Sequence, residues 1–93
     1  KMILQNTLNL LITELKYSGS ADIIEACKFI YDTYGINVYV YMLPRGFRSA
    51  IQYRINYNVI TASGKKCNSQ NEAYNTGIQE AIQFVKLNIN KNV

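Results

Sequence analysis

Apolar positions along the chain follow two periods, and the places where the period changes divide it into six elements. Residues 2–16 carry Leu4, Leu8, Leu11 and Leu15 at helical spacing, the mark of one apolar stripe on an α-helix. Ile3, Leu10 and Ile12 lie off that stripe. A helix apolar over more than one face needs more than one surface to cover it. The second surface is expected either from a neighbouring element or from another subunit, which makes Ile3, Leu10 and Ile12 candidate oligomer contacts.

Tyr17-Ser18-Gly19-Ser20 interrupts the pattern, with Ser20 as the expected N-cap of the next helix. Ile23, Cys27, Ile30 and Tyr34 then recur at helical spacing, supported by Ile24, Ala26 and Tyr31. Gly35 fits the left-handed position that ends a helix, with Ile36 as the following hydrophobic contact.

From Ile36 to Leu43 the period drops to two, with Ile36, Val38, Val40 and Met42 on one face and Tyr39 and Tyr41 on the other. Leu43-Pro44-Arg45-Gly46 reads as a turn. Alternation resumes at Arg48, placing Ile51, Tyr53, Ile55, Tyr57 and Val59 inward and Arg48, Gln52, Arg54, Asn56 and Asn58 outward. A run to Ala62 is long for one strand, so a bulge or break is expected near Asn56–Asn58. Ser63-Gly64 reads as a second turn before a short strand near Lys65–Asn68.

Ser69-Gln70-Asn71-Glu72 has the S-x-x-E form of a capping box. Tyr74, Ile78, Ala81, Ile82, Val85 and Ile89 form the apolar face of the last helix, while Asn75, Thr76, Gln79, Glu80, Gln83 and Lys86 are expected in water. Gly77 in mid-helix costs about 1 kcal/mol relative to Ala, which points to close packing on the sheet. Residues 88–93 are expected to fray. The reading is one α+β domain over residues 1–93, in the order α-α-β-β-β-α. A three-stranded antiparallel sheet carries helices packed on one face.

Charge changes this picture in one place. No acidic residue occurs between Asp32 and Glu72, yet Arg45, Arg48, Arg54, Lys65 and Lys66 fall there, half of the chain's 10 cations. Hairpin pairing gathers Tyr39, Tyr41, Arg48 and Arg54 on the outer sheet face. Tyrosines give base-stacking platforms and arginines pair with phosphates, so Tyr39, Tyr41, Arg48, Arg54, Lys65 and Lys66 are the candidate nucleic-acid or partner surface. Cross-strand Tyr–Arg neighbours also stabilise ordinary exposed sheets.

The chain has no histidine and only two cysteines, which removes the usual triads and gives no metal-ligand spacing. Asp22 with Glu25, and Glu72 with Glu80, fall on solvated helix faces. No catalytic residue, cofactor or metal is therefore expected. No apolar run approaches the roughly 18 residues that would span a bilayer, and a reducing, cytoplasmic setting is the default. The reading is a non-enzymatic interaction protein that binds another protein or itself, with nucleic-acid binding as the alternative.

Two resemblances bear on this. The order α-β-β-β-α with lysines near the last helix resembles the double-stranded-RNA-binding domain. That family carries its lysines within the start of the helix, whereas here positions 70–80 hold no Lys or Arg. Over about residues 26–87, Ala26-Cys27-Lys28-Phe29-Ile30-Tyr31-Asp32-Thr33-Tyr34-Gly35-Ile36-Asn37-Val38 and Asn71-Glu72-Ala73-Tyr74-Asn75-Thr76-Gly77-Ile78-Gln79-Glu80-Ala81-Ile82 are similar to the opening and ending of small α+β proteins of gut Bacteroides and their phages. The tryptophan usual in that group's opening helix is absent. The resemblance implies origin and architecture, not an activity.

Overall fold

Capping chemistry sets most of the element boundaries. A computed structural model describes residues 1–89 and contains α1 (Gln5–Leu15), α2 (Ile23–Tyr34), β1 (Asn37–Leu43), β2 (Gly46–Ile55), β3 (Asn58–Cys67) and α3 (Gln70–Asn88). The α+β order and the three-stranded antiparallel sheet are those expected from the sequence. The fray expected at residues 88–93 falls almost wholly outside the described residues.

α1 starts later than its apolar stripe suggests because residues 1–3 are extended and pair with residues 21–23. Ile3 N donates to Ala21 O at 2.7 Å and Ile23 N to Lys1 O at 3.0 Å. α2 is capped by Asp22 rather than Ser20, with Asp22 Oδ2 accepting from Glu25 N at 3.1 Å. Ser20 serves the same end differently. Its N–H and hydroxyl donate to the two Glu25 carboxylate oxygens at 2.9 Å each. Those bonds hold the Glu25 carboxyl below its ordinary range. Gly35 ends α2 at φ 70°, its N–H donating to Tyr31 O at 2.9 Å. Ile23, Ala26 and Ile30 are buried, but Ile24 and Tyr31 face solvent rather than joining the stripe.

The sheet order is β1-β2-β3, and Leu43 pairs with Gly46 across the Pro44-Arg45 turn as expected. The second hairpin departs from the sequence reading. The break near Asn56–Asn58 is a full reversal: Ile55 pairs with Asn58, and Asn56 and Tyr57 adopt positive φ of 50° and 71°. Two consecutive left-handed residues match the twist of the flanking strands, the type I′ pattern. Ser63-Gly64 is no turn. It lies inside β3, where Arg48↔Lys66 and Ala50↔Ser63 bracket a bulge that inserts one extra residue. Two inward assignments fall with this: Tyr57 projects fully into solvent from the hairpin tip, and Val59 pairs with Arg54 on the outer face.

α3 crosses all three strands, and α2 packs on β1 and α3. Ser69 caps α3 as expected, its Oγ accepting from Glu72 N at 3.1 Å. At the crossing the backbones come close through Gly77, where a Cβ would meet Ser49 Cβ at 2.9 Å and Val38 Cγ1 at 3.0 Å. Ile30, Ile36, Val38, Ile51, Ile78 and Val85 fill the core between the layers.

α1 packs on α3 and not on the sheet. Asn75 Oδ1 accepts from Leu4 N at 2.8 Å, Gln79 Nε2 donates to Thr7 Oγ1 at 2.8 Å, and Lys86 Nζ pairs with Glu14 at 2.8 Å. At about 100° per residue, Asn75 lies nearly opposite Gly77, so α1 sits on the side of α3 turned away from the sheet. This second cover buries Asn75, which was expected in water. It also buries Ile3 in the core, so of the three candidate oligomer contacts only Leu10 and Ile12 reach the surface. Among the described residues, no helix is long and apolar enough to cross a membrane.

Candidate nucleic-acid interface

With the helices on the inner side, the outer face of the sheet is left bare among the described residues, and its composition follows from register. Residues opposite one another in antiparallel strands share a face. Outward rows therefore read Tyr41–Arg48–Lys66, then Tyr39–Ala50–Ser63, then Asn37–Gln52–Thr61, and last Arg54–Val59 beyond the start of β1. None of these residues is acidic.

The middle of this face is flat because Ala50 is small. Tyr41 on β1 reaches across β2 so that its hydroxyl lies 3.5 Å from Ser63 Oγ on β3. Strands are spaced about 4.8 Å apart, so the side chain must extend across the sheet to make that reach. Ala50 beneath it is fully buried, although it faces outward. Tyr39 stands beside Tyr41, ring centroids 6.2 Å apart and tilted by 37°. The Ser63 hydrogen bond, together with the Arg48 guanidinium, pulls the Tyr41 hydroxyl below its ordinary range. Arg48 keeps its Nε buried without a hydrogen-bond partner among the described residues. Below these rows runs a polar ladder, Asn37 Nδ2 donating to Gln52 Oε1 at 3.3 Å and Gln52 Nε2 to Thr61 Oγ1 at 3.4 Å.

The structure thus joins Tyr39, Tyr41, Arg48 and Lys66 into one cluster. Arg54 shares the face but sits six positions along β2 from Arg48, about 20 Å at strand rise. There it borders a cleft of about 330 Å³ with Tyr31, Tyr53 and Gln52. Lys65 lies in the bulge, exposed to solvent. Ser63, Ala50 and Thr61 were not singled out from sequence. Reading Ser63-Gly64 as a turn removed Ser63 from the ladder, and only the true second hairpin puts β3 beside β2 in this register.

On the inner side, Gly64 lies under Ser49 and Glu80. A Cβ there would meet Glu80 Oε1 at 2.5 Å and Ser49 Oγ at 2.6 Å. Burial raises the Glu80 carboxyl above its ordinary range, against the hydrogen bond donated by Ser49 Oγ at 3.3 Å. Burial likewise pushes the Cys27 thiol up to about 11, which leaves it a poor nucleophile. What the outer face offers is stacking and charge pairing. No family model, curated protein or solved structure matches this chain.

Proposed function

We propose that this chain is a non-enzymatic binding protein whose working surface is the outer face of the sheet, and that its ligand is single-stranded nucleic acid. The observation that carries the reading is the Tyr41 hydroxyl reaching across the central strand to Ser63, with Tyr39 beside it. Arg48 and Lys66 complete the same row. Two neighbouring tyrosines on an open sheet face offer aromatic surface, and every base has a π-face to set against it. The adjacent cations supply phosphate contacts, and no acidic residue on the face opposes them. Extended single strands suit this surface better than a duplex, whose bases are already stacked. Two free thiols suit a reducing compartment.

Fluorescence anisotropy of a labelled oligonucleotide across a salt series tests this. Affinity should fall steeply with salt, and Arg48→Ala with Arg54→Ala should flatten the slope by about 0.7 for each phosphate no longer neutralised. Tyr41→Ala should cost about 1–3 kcal/mol of binding at every salt concentration. Binding no tighter than that of an unrelated protein of equal charge would end the reading.

A protein-binding or self-associating role is the second reading, favoured by Leu10 and Ile12, which stay 38% and 47% exposed on α1. Sedimentation of the wild type against Leu10→Gln/Ile12→Gln decides it. Equal monomeric masses remove the self-association.

A further inference from the structure

The sheet also has an open edge, which the face-binding reading does not use. Among the described residues β3 bonds to β2 on one side only, and it is exposed along almost its whole length. A strand with a free side presents unpaired N–H and C=O groups at alternate residues, a template for another extended chain. Over Asn58–Ser63 this edge carries no charge and no proline, and Val59, Ile60 and Thr61 are β-branched. The bulge then ends the regular stretch, and Lys65 and Lys66 follow it. β1, the other edge, is shorter and has no charged side chain.

The two sides of this edge differ in chemistry. Ile60 pairs with Tyr53, whose ring packs on Phe84 of α3 at 4.1 Å. Ile60 nonetheless stays 38% exposed, at the margin of the helical layer. On the opposite side Lys66 stands in the outer row with Arg48. An added strand would therefore meet Ile60 inward, and outward Val59, Thr61 and Ser63 followed by Lys66 past the bulge, with Arg54 beside Val59 on the neighbouring strand. A second copy would set one acid-free sheet against another, whereas an acidic strand would find charge partners.

We propose that the β3 edge binds an extended segment of a partner protein in which apolar and acidic residues alternate, pairing as a fourth strand. Main-chain hydrogen bonds to Asn58–Ser63 supply the attachment. The apolar side chains lie beside Ile60, and carboxylates reach Lys65 and Lys66. This inference shares Lys66 with the nucleic-acid reading, but its attachment is the main-chain edge of β3 rather than Tyr39, Tyr41 and Arg48.

The probe is a short labelled peptide alternating Val and Glu. It is compared with a version carrying Lys for Glu and a version N-methylated at every other amide, with the methyl groups placed in each of the two alternating sets in turn. The Glu peptide should bind about tenfold tighter than the Lys peptide, and one N-methylated set should abolish binding. Lys65→Glu/Lys66→Glu, two exposed positions, should reverse the preference. Hydrogen exchange should show new protection at Val59–Ser63. Equal binding by both N-methylated sets, an unchanged preference in the charge-reversed variant, or protection confined to β1 would each overturn the proposal. So would a wild-type dimer whose β3 amides are already protected, which would give the edge to a second copy.

Discussion

Replacing Gly77 by Ala sets two effects of opposite sign against each other, and the structure decides between them. In an open helix the substitution gains about 1 kcal/mol. Here the new methyl group would stand 2.9 Å from Ser49 Cβ and 3.0 Å from Val38 Cγ1. Carbon atoms rest comfortably at about 3.5–4.0 Å. Ser49 Cβ is fixed directly to the central strand and cannot rotate aside, and Ser49 and Val38 are both buried. Overpacking of this kind costs about 1–3 kcal/mol. The net expectation is a loss of about 1 kcal/mol for Gly77→Ala and a larger loss for Gly77→Val. For a domain of this size, each kcal/mol lowers the melting temperature by about 4–8 °C. Urea denaturation followed by circular dichroism should show a lower midpoint at unchanged slope. Adding Ser49→Gly removes the clashing atom, so the double variant should show favourable coupling. A higher midpoint for Gly77→Ala would refute the reasoning, because α3 could then lift from the sheet at no cost.

Asn75→Ala removes the acceptor for Leu4 N and the donor to Asn71 O, both bonds at 2.8 Å, and should cost about 1–3 kcal/mol. Exchange of the Leu4 amide should accelerate, and unchanged protection there would show that Asn75 does not anchor α1. The raised Glu80 carboxyl means that the folded protein holds this proton more tightly than the unfolded chain. Its contribution is then complete below the ordinary carboxylate range and is lost as pH rises through the raised value. Glu80→Gln should therefore gain stability relative to wild type as pH increases toward neutrality, whereas parallel pH profiles would contradict the assignment. With the Cys27 thiol at about 11 and Cys67 buried, a disulfide-exchange reagent at neutral pH should label neither until denaturant is added. Rapid labelling of the native protein would show the thiols to be accessible.

How much of this was legible beforehand depended on whether the signal was local. Gly35, the Pro44-Arg45 turn and Ser69 act through their own backbone neighbours, and each fell where expected. The second hairpin did not, because its left-handed residues are Asn56 and Tyr57 rather than the Asn-Gly that usually marks a two-residue loop. Counting by twos straight through that unrecognised reversal sent Tyr57 and Val59 to the wrong side. Ser63-Gly64 looked like a turn because of its residue types. Its glycine instead answers to Ser49 and Glu80, one on another strand and the other on α3. Asn75 was misplaced for a similar reason: a helical wheel shows one apolar face, not a second cover that hydrogen-bonds. The outward set of Tyr39, Tyr41 and Arg48 was legible because it needed only the first hairpin. Tyr41 spanning to Ser63 needed the second.

The attachment of α1 has a consequence for the order in which the protein can assemble. Its bonds to α3 join residues 71 and 72 positions apart, Leu4 with Asn75 and Thr7 with Gln79. Contacts of such long range are slow to form, since a long stretch of chain must be closed before they gain anything. On the ribosome α1 emerges before the helix that covers it has been made. Leu11 and Leu15, buried in the finished fold, stay uncovered until the sheet and α3 follow. Of these three helices the first synthesised is thus the last to find its place, and the nascent chain is most open to chaperones and to aggregation during that wait.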